Sequence, residues 1–210
     1  MFNKFFILTI LLSINSNAIH ANSMSPNSRG LEIAMEQVGY DTGWNDAETT
    51  LEMILQSPNG NTSRREIVMK LLEVNNDGDK SLLTVQTPKD VKGTNFLTHS
   101  KIDDADKQWI YLPALKRVKR IASKNKSGPF MGSEFSYEDM SSFEYQDFDF
   151  KYIRDENFDG FDCFLVEQTP KDKYSGYSKR IAWIDKQAYR TIKMEFYDRK
   201  GDLLKTLHNT

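Results

Sequence analysis

Cysteine is almost missing from this chain. Of 210 residues only Cys163 carries a thiol, and no Cys-x-x-Cys pair occurs. Disulfide-held scaffolds and dithiol redox sites are thereby excluded. Histidine is nearly as scarce: His20, His99 and His208 are the whole supply, and only His99 lies in the body of the chain. Zinc centres assembled from Cys and His sets therefore lack their ligands. Neither sign of charge predominates, since 28 Lys and Arg stand against 30 Asp and Glu for a formal net charge of −2. A nucleic acid, whose phosphates demand a surplus of cations, is a poor match for that balance. Hydrolytic signatures are missing too, with neither Gly-x-Ser-x-Gly nor His-Glu-x-x-His in the sequence, and nothing points to a serine that would partner His99. Cys163, between Asp162 and Phe164 on an expected strand, reads as a small buried apolar residue. The expectation is a protein without covalent chemistry, cofactor or metal.

What is present is enough for one globular domain: 39% hydrophobic and 28% charged residues, with an aromatic share of 12% that composition leaves unexplained. Only one long apolar run occurs, from Phe5 to Leu12 and on to Ile14, behind Met1-Phe2-Asn3-Lys4 and ahead of Ser16-Asn17-Ala18 and Ala21. A charged start, an apolar core too short to span a bilayer and small residues after it read as a secretory signal peptide cleaved near residues 18–21. No Leu-x-x-Cys follows, so no lipid is expected at that site. Residues 22–210 then form a single exported, soluble domain.

Leu31, Ala34, Met35 and Val38 recur at helical spacing, predicting a short helix over 28–40. Beyond Thr49 the rhythm is that of strands. Short segments rich in Val, Ile, Thr, Tyr and Phe cover 50–56, 65–74, 81–87, 94–98, 108–112 and 115–122, then 148–154, 162–168, 179–185, 189–197 and 203–207. Turn clusters such as Pro58-Asn59-Gly60-Asn61 and Asn75-Asn76-Asp77-Gly78-Asp79 separate them. Between Gly128 and Phe150 the pattern breaks, and Phe135, Met140 and Phe143 suggest a short helix or lid. The sum is a mainly β fold: one highly curved antiparallel sheet of about 10–11 strands, a half-open barrel with a few short helices. Several strands are apolar on both parities. Ile67, Met69 and Leu71 oppose Val68, Leu72 and Val74, and Trp109 and Tyr111 oppose Ile110 and Leu112. Either helices cover the second face or the sheet curls around an apolar cavity.

Three motifs compete for attention. Asp155-Glu156-Asn157-Phe158-Asp159-Gly160 matches the opening of a calcium loop, but Val166 stands where the bidentate Glu belongs and the flanks read as strands, so a hairpin turn is expected. Asp103-Asp104-Ala105-Asp106 reads as a solvated turn. The basic run Lys116-Arg117-Val118-Lys119-Arg120 offers two readings: contact with anionic headgroups or an acidic partner, or an edge strand that lysine keeps from aggregating.

The stretch DDADKQWIYLPALKRVKRIASKNKSGPFMGSEFSYEDM, residues 103–140, resembles the central signature of the LolA-like outer membrane lipoprotein-sorting protein family. Tyr177-Ser178-Lys179, Trp183-Ile184-Asp185-Lys186 and Tyr197-Asp198-Arg199-Lys200-Gly201-Asp202-Leu203 resemble it further, so that the likeness runs from about Gly39 to the C-terminus. The closer likeness is to the less characterised branch, whose members are often encoded beside RND-type exporters. The resemblance implies a half-open curved sheet, helices plugging its concave side, and a cavity for acyl chains. It implies a periplasmic carrier of lipid or lipoprotein, with an RND-type inner-membrane exporter or an outer-membrane acceptor as partner. The alternative on the same fold is a sensing or adaptor module for such a membrane partner. Better-known carriers of the superfamily hold their lid through an arginine, for which the sequence shows no evident counterpart. Candidate walls are Met69, Leu71, Leu83, Trp109, Tyr111, Trp183 and Met194; candidate lid residues are Phe130, Met131, Phe135, Tyr137, Met140 and Phe143. Lys116, Arg117, Lys119 and Arg120 are the candidate headgroup or partner contacts.

Overall fold

The computed structural model describes residues 24–209. The signal peptide expected over residues 1–21 lies outside them. The first element is helix α1, Pro26–Tyr40, which opens two residues earlier than its apolar spacing indicates. Ser25 explains the start: its side chain accepts a hydrogen bond from the Ser28 amide at 3.1 Å, and Pro26 follows at the first helical position. Ile33 and Ala34 are buried completely, or nearly so, against Phe150, Phe164, Val166 and Ile184. Gly30 makes that approach possible, because a Cβ there would meet the Tyr152 amide nitrogen at 2.8 Å.

Eleven strands follow: β1 (Asp46–Gln56), β2 (Thr62–Leu72), β3 (Lys80–Thr87), β4 (Asn95–His99), β5 (Lys107–Leu112), β6 (Arg117–Ile121), β7 (Phe148–Phe158), β8 (Phe161–Pro170), β9 (Tyr177–Asp185), β10 (Thr191–Asp198) and β11 (Leu203–His208). Every pairing is antiparallel between chain neighbours. The β7–β8 turn is Asp159-Gly160 with φ of 51° and 86°, so the calcium-like motif closes a tight hairpin.

The expected single sheet is divided. Strands β1–β6 form a six-stranded sheet and β7–β11 a five-stranded one. The division falls where the chain offers no strand rhythm. After β6, Gly128-Pro129 and the short 3-10 turns at Ser123–Asn125, Tyr137–Met140 and Tyr145–Asp147 carry the backbone across without ladder hydrogen bonds, apart from one bridge between Pro129 and Ser136. This crossing segment, residues 122–147, is wedged between the sheets.

The double apolar parity is resolved differently in the two sheets. In the second, α1 covers one face, while Cys163, Leu165, Ile181 and Trp183 form a compact cluster on the other. In the first, the crossing segment takes the place of a helix: Phe130, fully buried, packs on Ile67, Leu83, Val85, Phe96 and Ile110. That cover extends over only part of the face.

Candidate functional site

The uncovered part of that face is a groove of about 820 Å³, walled by β1, β2 and β3 and overhung by the crossing segment. Register dictates its chemistry. Leu51 opposes Ile67, Met69 opposes Leu83, and Ala47 opposes Leu71, so apolar side chains of alternate positions all point the same way. Ile67 and Leu83 are buried and make the floor, whereas Leu51 at 38% and Ile54 at 49% exposed leave the rim open. Phe135 and Met140 reach over from the crossing segment. Contiguous apolar surface open to solvent marks a place that something else covers.

The overhang is pinned at both ends by polar contacts. On the first sheet, Arg65 of β2 donates to the Met131 carbonyl at 2.6 Å, Gln108 of β5 donates to the Tyr137 carbonyl at 2.7 Å, and the Ser142 amide donates to Ser100 Oγ at 2.9 Å. On the second, Glu138 accepts from Ser175 Oγ and the Gly176 amide, each at 2.7 Å. Asp139 accepts from Tyr177 at 2.8 Å and pairs with Lys205, whose ammonium also lies over the Phe196 ring. Burial, followed by the Asp139 charge, pushes the Tyr177 hydroxyl pKa up, so the phenol stays a donor. The segment has the attributes of a lid: weakly regular backbone, apolar underside and a small set of anchors.

Beside the anchors lies a second cleft of about 520 Å³ with the opposite chemistry, lined by Asp106, Asp147, Asp172, Lys126 and Arg180. Arg180 donates to Gln168 at 2.7 Å and stacks 4.0 Å from the Phe148 ring centre, while burial lowers its pKa to about 10. Burial raises Asp147 to about 6, and the charges of Asp106 and Asp172 push the same way. Glu144 and Asp106 are also raised, chiefly by burial. A carboxyl raised on folding stabilises the fold fully below its unfolded value of about 3.8, and that contribution disappears as pH climbs through about 6. Asp147→Asn should therefore melt higher than the wild type at pH 7, by roughly 1 kcal/mol once solvent screening is allowed for, and no higher at pH 4. Thermal melts from pH 4 to 7 check this; parallel pH profiles for the two proteins would refute it.

A crystal structure described as an outer membrane lipoprotein-sorting protein domain, from Vibrio parahaemolyticus, is 56% identical to this chain, with a TM-score of 0.85 over 87% of this chain and 77% of that one. The chain belongs to the outer membrane lipoprotein-sorting protein family. A DUF1329 family protein from Desulfovibrio piger shares the fold at TM-score 0.83 and 29% identity, covering 88% of this chain and 79% of its own. A LolA superfamily protein from Nitrosomonas europaea has a similar fold, at TM-score 0.63 and 20% identity over 84% and 76% of the two chains. A family model described as "uncharacterized protein" matches residues 77–210. No curated protein matches the chain.

In this sorting-family member the residues singled out from sequence separate into distinct places. Met69, Leu71, Leu83, Phe135 and Met140 line the groove. Phe130, Met131 and Tyr137 form the underside of the lid, packed into the core of the first sheet, and Phe143 borders the acidic cleft. Four wall candidates lie elsewhere. Trp109 and Tyr111 share parity with Leu97 and Asn95, one residue out of phase with buried Phe96 and Ile110, so they point from the outer face. Trp183 belongs to the cluster on the far side of the second sheet, its indole donating to Glu156 at 3.0 Å. Met194 packs in the core under α1. Lys116, Arg117, Lys119 and Arg120 are exposed on or beside edge strand β6. Sequence reasoning missed Leu51, Met53 and Trp44 of the groove, and Arg65. For Arg65 the signal was there: it stands two residues before Ile67, on the same parity as the apolar side chains of β2.

Proposed function

We propose that this protein is a periplasmic carrier that holds the acyl chains of a lipid or lipoprotein in the groove between β1–β3 and the lid. The observation that supports it above all is the open rim of an apolar groove beside a lid that covers only part of the sheet face. Burying a chain there yields about 0.8 kcal/mol per methylene, and no catalytic group is needed. Unloading requires that the empty state be tolerable. Phe135 and Met140 serve this by collapsing onto the surface that the cargo vacates, so that lid and cargo compete. An RND-type exporter or an outer-membrane acceptor would stand at either end of the route. The solved relative described as a lipoprotein-sorting domain supports the cargo class.

The experiment is native mass spectrometry of the purified protein, with extraction and identification of bound lipid. Masses corresponding to one acylated ligand per chain are expected. A protein that is persistently empty and also fails to take up a fluorescent fatty acid refutes the reading.

A further inference from the structure

The outer face of the first sheet has no cover among the described residues, where the only α-helix packs on β7 of the other sheet. Its cross-strand rows are readable from the register. Lys80, His99 and Lys107 form one; Leu82, Leu97, Trp109 and Arg120 the next; Thr84, Asn95, Tyr111 and Val118 the third. Within β3–β6 none of these positions is acidic; across β2 and β1 the rows run on to Leu72 and Asp46, to Lys70 paired with Glu48, and to Val68 and Thr50, so the acid-free part of the face is the β6 side. At the open edge, Lys116, Arg117 and Lys119 add three exposed cations. Among the described residues, neither these three nor Arg120 takes part in a salt bridge.

Protection of an edge strand accounts for charge there but not for the apolar residues interleaved with it. Val118 is 63% exposed and Leu115 52%. Trp109 and Tyr111, half-buried beside them, have the amphipathic rings that favour a membrane–water boundary. The cations diverge as well: Arg120 shares the outer face with Trp109, Lys119 and Arg117 share the inner parity with Ile110 and Leu112, and Lys116 sits in a turn with φ of 46°. A rigid acidic protein surface meets one face of a strand, whereas mobile anionic headgroups can reach cations that point several ways.

We propose that β6, the turn before it and the adjoining outer face of the first sheet dock the protein on an anionic lipid bilayer. Lys116, Arg117, Lys119 and Arg120 meet headgroup phosphates, and Leu115 and Val118 enter the interface. Strand β1, which walls the groove, is the opposite edge of the same sheet, so docking leaves the groove mouth free.

Co-sedimentation with vesicles of phosphatidylcholine, with and without phosphatidylglycerol, tests this. The protein should bind only the phosphatidylglycerol vesicles and release as salt is raised. Reversing Lys116, Arg117, Lys119 and Arg120 to Glu should weaken binding by about 100-fold or more. Leu115→Ser with Val118→Ser should weaken it several-fold while leaving its salt dependence, and unchanged melting temperatures verify that these exposed positions are not needed for folding. The groove variant Met69→Glu/Leu71→Glu should bind vesicles as the wild type does, which separates failure of docking from failure of cargo binding. Wild-type protein that ignores phosphatidylglycerol overturns the proposal. So does vesicle binding that survives charge reversal, including the case where reversal abolishes capture of an acidic protein instead.

Discussion

Met69→Glu combined with Leu71→Glu should reduce acyl-chain binding by at least about 100-fold while the protein still folds. Both side chains stand on the groove side of β2, both are half-buried, and neither belongs to the fully buried floor made by Ile67 and Leu83. In the empty groove the new carboxylates reach water through the open rim and cost little. A loaded chain must desolvate them, and several kcal/mol are lost against a gain of about 0.8 kcal/mol per methylene. Displacement of a fluorescent fatty acid measures the first quantity and a thermal melt the second. Unaltered affinity would remove the groove from consideration as the cargo site. An equal collapse of binding and melting temperature would mark Met69 and Leu71 as ordinary core. A control at Trp109, Trp109→Ser, should leave uptake unchanged, because that ring leaves the sheet on the other side.

The strand count and most strand positions were legible in the sequence because turn residues interrupt β-branched and aromatic runs at regular intervals. Asp159-Gly160 is the sharpest case: two consecutive positive φ angles suit a hairpin, and the missing acidic ligand at Val166 argues against calcium. The division into two sheets was not legible. It depends on β6 pairing with β5 alone, and a charged edge strand looks the same in sequence whether or not another strand follows it in space. The lid segment was visible as a loss of rhythm after Gly128, but its anchors are long-range. Glu138 with Ser175 and Asp139 with Lys205 join positions that no local spacing connects.

The site was legible by half for a related reason. Period-two alternation identifies which residues share a face but not which face turns inward. Trp109 and Tyr111 look like natural walls for an apolar cavity, yet Ile110 takes the inward position because it meets Phe96 and Phe130. Once one buried residue per strand fixes the phase, the register carries it across β1–β6. Leu51, Met53 and Arg65 then fall on the groove side without further information.

Asp139→Ala should lower the melting temperature by about 10 °C and accelerate exchange of bound acyl chains. Asp139 is the point at which three separate interactions converge: the ion pair with Lys205, the Tyr177 hydroxyl, and the Ser136 amide at 2.7 Å, which it caps at the start of the Tyr137–Met140 turn. The side chains of Asp139 and Lys205 retain only 8% and 11% of their exposure, so removing the carboxylate leaves an ammonium buried among Tyr177, Phe196 and Phe135 without its counter-charge. Breaking a buried pair from one side costs about 3–5 kcal/mol, and a domain of this size loses about 2–4 °C per kcal/mol. Lys205→Met should cost less, since it leaves Asp139 the Tyr177 and Ser136 donors. The double variant should recover much of the Asp139→Ala loss, because the uncompensated charge is then gone. The lid would remain tied to the first sheet through Arg65 and Gln108 and to the second through Glu138 and Ser136, but without the Asp139 clasp, so ligand exchange should be faster in the double variant even where stability has returned. A double-mutant cycle by thermal melting, read beside stopped-flow release of a fluorescent fatty acid, separates the two effects. Strictly additive losses would show that Asp139 and Lys205 act independently, and release at the wild-type rate from the restabilised double variant would show that this clasp does not govern the lid.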